Sequence, residues 1–591
     1  MLNKLNIAGP DPAVSLVGAA ESSATKAVQY VNAAEREAEI VFILIRRHLK
    51  VVRGTKKQHL IQPRIKAQAA LEVIPDSDEV DDQDETRLPT QPLKNKLVLQ
   101  ISDTIPRDSS SVSPSPSTSI PVEQNVWARQ GPDCQSNSTG DLNLHYLPSD
   151  YKMHLHYLYH NITCHHYCLT NDTDNFFVRG LIVEASRNKL LLNTVVAFSA
   201  YLRSIEHADG KLGDFLLYYN RSITLLLACL KQEGTHNLPT LLSILQLATI
   251  EEYLGDWMNL MGHQRAALEL FTKLFTPQTV MDTRIGQICL CWYSRFDIGG
   301  AFLGMAQPTL CRDWFTNAAL YYREKINQEP NQILWRAEER LARLHIIRYD
   351  MALLLSSSAD EELSDRNFSH EHERITTQLM NWRDTWDPLL TSPTYVVRDY
   401  PWQQPPDPDD IVDPYERGLL YKQPLLSSTM VLVEWHTLVV LHKSTTRASR
   451  AELALDLRHH SYAVCQLFEA MEYWPSKPKG ALLGFRLSLI VVALFLPRDE
   501  RHRAWLWRKL AVLETMGSIQ ALPLRSRLAE LFNDKNAAQW WLPDNRGFSP
   551  MLQSIRNFAD ERHHAAVHAL DRLQVAVKLF DKLNLTPNTE T

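Results

Sequence analysis

The sequence predicts an all-α protein, and three observations carry that reading. Glycine is scarce, at 20 of 591 residues. No run of alternating β-branched residues is joined by hairpin turns. Apolar residues recur three and four apart almost without interruption from Tyr146 to Leu583. A hydrophobic content of 45% supplies a large core. Length alone would allow three or four domains at ~150 residues each, but the unbroken helical pattern argues for fewer. The division expected is residues 1–75, helical and basic; residues 76–140, a linker; and residues 141–591, one large multi-helix domain.

In the first segment a helical pattern from Ser22 to Leu49 leads into basic chain. Arg46, Arg47, Lys50, Arg53, Lys56, Lys57, Arg64 and Lys66 fall in a window, Ile40 to Leu71, that holds no acid. Such a stretch can neutralise phosphates or serve as a nuclear import signal, and it can equally be the solvated face of a helix. Asp76 to Glu85 then reverses the sign with seven acids in ten residues. The chain stays rich in Ser, Pro, Asp and Thr to about Gly140, too poor in apolar residues to offset its entropy, so a disordered linker is expected.

Structure is expected to resume near Leu142. In YKMHLHYLYHNITCHHYC, the residues His156, His160, Cys164 and Cys168 follow at i, i+4 steps, which on one continuous helix would share a face. No H-E-x-x-H or paired C-x-x-C accompanies them, so a docking helix is expected here rather than a zinc site. Helices are predicted over Phe177 to Leu190, Asn193 to Ile205 and Leu212 to Lys231. A helical hairpin follows. Leu241, Leu242, Leu245, Leu247, Ala248 and Ile250 make a broad apolar face, Gly255-Asp256 breaks it, and a second helix restarts near Trp257. Its faces are too apolar to stand alone, so other helices must pack on it.

Beyond the hairpin, a helix between Pro330 and Ser358 carries Glu338, Glu339, Arg340, Arg343 and Arg348 along its polar side, and a surface loop is expected from Ser356. Trp382 to Tyr421 is long and Pro-rich, an ordered aromatic loop or a flap. Three long helices are predicted over Leu425 to Ser444, Ser449 to Trp474 and Lys479 to Leu496, the last almost wholly apolar and therefore central. Arg498, Arg501 and Arg503 are expected to cap and solvate the next helix start. A last amphipathic helix runs from Ser549 to Leu583.

Several landmarks occur in one order. LQLATIEEYLGDWMNLMGHQRAALELF has a leucine-rich helix, a polar break and His263 with Ala266 and Ala267. Trp292, Tyr293, Arg295, Phe296 and Asp297 follow, then Trp382, Trp386 and Pro388, then Pro497, Trp505, Trp507, Leu510, Glu514 and Gly517. This series resembles the regulatory domain of fungal binuclear zinc-cluster transcription factors, over about residues 142–545. Ala266 departs from the glycine usual in that family. The resemblance implies a nuclear transcription regulator, controlling a metabolic or secondary-metabolite gene set. The family normally carries six cysteines holding two zinc ions in a DNA-binding cluster. Here no cysteine precedes Cys134, and although Arg46-Arg47-His48-Leu49-Lys50 resembles the basic run of that cluster, its cysteine positions would fall on Val41, Leu44 and Val51. No zinc cluster can fold from these residues.

The expected function is therefore that of a regulator whose own DNA-binding module is absent or degenerate. It would reach DNA weakly through Arg46, Arg47, Lys50, Arg53, Lys56 and Lys57, or through a partner: the transcription machinery, a second copy or an intact relative. A non-DNA-binding scaffold or a small-molecule effector sensor is the alternative. No cofactor or metal is expected, and no enzyme: a phosphate loop, nucleophile elbow or metal motif is missing, and Glu251 and Glu252, being adjacent, do not share a helix face. Buried Arg295 and Asp297 would instead make a structural ion pair between helices. The scattered cysteines fit a reducing compartment. The most apolar run, Leu487 to Leu496, is about half a membrane span, so no membrane partner is expected.

Overall fold

The computed structural model of the chain describes residues 146–169, 176–230, 237–302, 307–359, 365–398, 400, 409–416, 418–445 and 450–565. Among them the architecture is all-α, and the only extended pairing is an isolated antiparallel bridge between Val396 and Tyr421.

The order is α1 (Ser149–Asn161), α2 (Phe176–Arg187), α3 (Lys189–Glu206), α4 (Leu212–Leu230), α5 (Leu238–Leu254), α6 (Trp257–Leu274), α7 (Arg284–Phe302) and α8 (Arg312–Gln328). It continues with α9 (Ile333–Ala359), α10 (Asp365–Asp384), α11 (Leu426–Lys443), α12 (Arg450–Tyr473), α13 (Arg486–Ala493), α14 (Glu500–Thr515) and α15 (Leu522–Leu531). A further helix, α16, covers residues 550–565. No helix among the described residues is long and apolar enough to cross a membrane.

Helix α5 is the axis of the fold. Asn237 caps its start by accepting from the Thr240 amide, and Pro239 occupies the first turn, where its missing N–H costs nothing. Every residue from Thr240 to Leu254 is buried, so the helix is enclosed on all sides. It packs on α3, α6 and α7. The predicted break is real. Gly255 is left-handed at φ 69°, and a Cβ there would meet the Ala521 amide nitrogen at 2.9 Å. Asp256 then accepts from the Asn259 amide and starts α6.

Four sequence expectations are corrected. The break between α2 and α3 falls at Asn188, not between Leu190 and Asn193, because Asn188 is extended and its side chain accepts from the Leu191 amide. Lys479 to Leu496 is not one long helix: Ala481–Phe485 is a 3₁₀ turn and α13 is eight residues. Left-handed Gly480 lies so close to His166 that a Cβ would sit 2.7 Å from its Nδ1. The surface loop expected from Ser356 is largely helical, as α9 reaches Ala359 and α10 begins at Asp365. Finally, Glu338, Glu339 and Arg340 are buried rather than on a polar face. Arg340 has α10 on top of it and donates to the Trp382 carbonyl while stacking on the Trp382 ring.

A satellite core joins α9, α10 and α11 through Leu344, Met351, Ile375, Leu379, Trp382, Val431, Trp435 and Val439. The Trp382–Tyr421 connection, where described, folds as 3₁₀ turns at Pro388–Thr391 and Pro393–Tyr395 and closes by the Val397 amide donating to the Leu420 carbonyl at 2.8 Å.

Candidate functional site

The last turn of α5 carries two adjacent glutamates, both buried. Successive residues of a helix point about 100° apart, so Glu251 and Glu252 leave on different sides and each meets its own set of partners. An isolated buried carboxylate is prohibitively costly, and both are answered by cations.

Glu251 accepts from the Tyr219 hydroxyl of α4, lies 3.8 Å from His263 Nε2 of α6, and pairs with Arg562 of α16 at 3.0 Å. Arg562 also reaches Asp256 at 3.0 Å and stacks over the Tyr219 ring. Burial opposes ionisation of Glu251, yet Arg562, His263 and Tyr219 outweigh it and hold the carboxyl below its ordinary value. Arg562 is correspondingly held above its own ordinary value: desolvation works against the charge, and Glu251, Tyr219 and Asp256 overcome it.

Glu252 pairs with Arg295 of α7 at 2.6 Å and with Arg486 of α13. Arg486 also donates to the Ser518 hydroxyl at 3.1 Å, which fixes the segment lying against Gly255. The two glutamates thus draw α4, α6, α7, α13 and α16 onto the end of α5. Among the described residues their acceptor oxygens face cations and a hydroxyl.

The expected interhelical ion pair for Arg295 is present, with Glu252 as the partner. Asp297 is different. No cation meets it in the ion pairs of the described residues; it accepts from the Thr309 amide at 2.9 Å, the Thr309 hydroxyl at 2.6 Å, the Leu310 amide at 3.1 Å and Gln264 at 2.9 Å. Burial raises its pKa despite those bonds.

The proposed run of His156, His160, Cys164 and Cys168 does not share a face. Helix α1 ends at Asn161, Cys164–Tyr167 is a 3₁₀ turn and Cys168 is left-handed. Ile162 is extended and ends the helix, and Thr163 caps the turn that follows. Among the described residues no group of three or more His, Cys, Asp or Glu side chains is placed to hold a metal ion. Two of the arginines after Pro497 have partners within the fold: Arg501 donates to the Asp410 carbonyl, and Arg503 lies 3.8 Å from Glu500 and 3.9 Å from Asp534. The cap of α14 is Asp499, not an arginine. Arg46, Arg47, Lys50, Arg53, Lys56 and Lys57, together with the acidic run and the linker, lie outside the described residues.

Sequence reading missed Arg562, Arg486 and Arg556. The signal existed for two of them. Ile555, Phe558, Ala559 and Arg562 share one stripe of α16, and an arginine in an apolar stripe announces a buried acid. Arg556, on the same helix, is fully buried among Trp540, Trp541 and Phe548 and lies 3.5 Å from Glu514. Burial pushes it down to about 10.

A family model for the fungal specific transcription factor domain matches residues 154–522, more than half of the chain. The chain belongs to that family. The matched span begins inside α1 and ends at the start of α15, and so takes in both glutamates, Arg295 and Arg486 but not Arg562. No curated protein and no solved structure matches the chain. The family is one of transcription-factor regulatory domains and not an enzyme class.

Proposed function

We propose that this chain is a nuclear transcription regulator that acts through its helical domain, with its own zinc cluster absent or degenerate. The family match over residues 154–522 is the observation that carries this reading. Its targets are a metabolic or secondary-metabolite gene set. DNA is reached through the basic stretch Arg46 to Lys66, or through a paired relative or a second copy. The enclosed α5 and its cationic partners supply a rigid body on which such a partner can be held.

Fusing the full chain to a heterologous DNA-binding domain tests the regulatory half of this reading. A reporter carrying the matching operator is expected to change output at least several-fold, and the change is expected to vanish when Leu245 and Leu247 are both replaced by Asp. An inert fusion that is folded and nuclear would contradict it. A second reading, a small-molecule sensor, is favoured by one feature: a ligand-sized groove between α1, α3 and α4.

A further inference from the structure

The groove between α1, α3 and α4 has a volume of about 640 Å³, within the range of roughly 300–1,000 Å³ usual for small-molecule sites. Its lining divides by chemistry. Leu216, Leu217 and Leu225 supply an apolar wall, and Leu217 is 47% exposed in it. A single exposed leucine means little, but here it lies in a concavity with two cations. Lys189 and Arg221 both line the groove, and no carboxylate of the described residues does. Asp150 and Asp214, on the same helices, are outside the lining, and Asp150 is taken by the Tyr218 hydroxyl at 2.5 Å.

The polar end is organised in advance. Tyr151 donates its hydroxyl to Asn193 at 2.9 Å, and the Asn193 amide is anchored on the Lys189 carbonyl at 2.8 Å. The Tyr151 oxygen is thereby left to accept from Arg221, at 3.4 Å. Among the described residues no carboxylate pairs with the Lys189 or Arg221 side chain. Two cations beside an apolar wall, with no acid among the described residues to neutralise them, are the complement of a ligand that is anionic at one end and apolar along its body.

We propose that this groove binds an amphipathic monoanion, a carboxylate with an aliphatic body. Lys189 and Arg221 hold the carboxylate, and Leu216, Leu217 and Leu225 cover the chain. The proposal deepens the sensor reading by naming its ligand class. It also gives the groove a route inward. Helix α4 carries Tyr219 as well as the groove residues, and the Tyr219 hydroxyl donates to Glu251. A ligand that moves α4 therefore acts on the contact between α5 and Arg562.

The test is calorimetric titration of the full chain with decanoate below its micellar concentration, beside decanol as the uncharged analogue. Saturable binding at one site is expected, at least tenfold weaker for decanol. Arg221→Gln and Lys189→Gln, both exposed positions whose change leaves the thermal midpoint in place, are each expected to weaken decanoate at least tenfold. Equal affinity for decanol, undiminished binding in the double variant, or no binding at all would overturn the proposal. Displacement of decanoate by an acidic amphipathic helical peptide that binds more tightly would also overturn it, by making the groove a peptide-docking face. The titration needs no DNA and no promoter, so its failure leaves the transcriptional reading to be judged on the reporter alone.

Discussion

The end of α5 and the junction of α10, α11 and α12 both enclose titratable groups but keep them by opposite means. At α5 the groups are paired with cations. Glu251 and Glu252 are met by Arg562, Arg295 and Arg486, brought from distant parts of the chain. At the other junction histidines meet one another. His372 and His442 stack with ring centroids 3.8 Å apart, and each Nε2 lies 3.1 Å from the other's backbone carbonyl. His436 and His460 share a contact between ring nitrogens at 2.8 Å. Burial holds His436 and His442 down to about 3 and His460 to about 4. Two desolvated cations side by side would repel, whereas two neutral imidazoles share a proton or stack. The first region is therefore sensitive to loss of a partner, and the second to pH.

The largest effect should come from breaking the charged region. Arg562→Met leaves Glu251 and Asp256 facing no arginine, and removing one partner of a buried pair costs about 3–5 kcal/mol. Denaturant titration should show a lower midpoint with little change in slope. Adding Glu251→Gln should recover part of the loss, because neutralising the orphaned acid removes its burial cost. If the two changes simply add, Arg562 is held by packing on Tyr219 and Phe558 alone.

The second effect sharpens the contrast. A histidine neutral in the fold and near 6.5 unfolded takes up its proton only on unfolding, so its stabilising contribution is complete above about pH 6.5 and falls with pH toward its folded value. For His436 and His442 that window runs from about 6.5 down to about 3. Each such histidine adds a slope of about 1.4 kcal/mol per pH unit within the window. Removing one, as His442→Asn, should flatten the stability profile between pH 6.5 and 5 by about that amount. Glu469, Glu514 and Asp297, raised by burial, act in the opposite sense. The comparison of slopes between variant and parent isolates the histidine. An unchanged slope would mean that His442 is already charged in the fold.

The smallest effect belongs to neither region. Asn188→Ala removes the cap of α3 and should cost about 1 kcal/mol, independent of pH between 5 and 8. A pH-dependent cost there would mean that α3 is coupled to the titrating junction.

What was legible in the sequence was local. The hairpin break at Gly255-Asp256, the span of α9 and the ends of α11 and α12 follow from periodicity and from residues with one conformational use. What was not legible depended on distant chain. Glu338, Glu339 and Arg340 look like a solvated stripe until α10 covers them. Lys479 to Leu496 has helical spacing, but contact with His166 at Gly480 bends it into a turn. The i, i+4 run from His156 to Cys168 has the right spacing, but the extended Ile162 ends the regular helix first. The partners of Glu251 and Glu252 sit up to about three hundred residues away, so no window of sequence contains them.

The regulatory reading turns on what the basic stretch does. The most direct measurement is binding of the full chain to random and genomic duplex DNA at two salt concentrations, beside a variant with Arg46, Arg47, Lys50, Arg53, Lys56 and Lys57 changed to Gln. With a degenerate module, binding should be weak and indifferent to sequence, should fall steeply with salt as phosphate contacts release counterions, and should be lost in the variant. Tight, sequence-selective binding that survives the six substitutions would contradict the account, because a working DNA reader would then lie elsewhere in the chain.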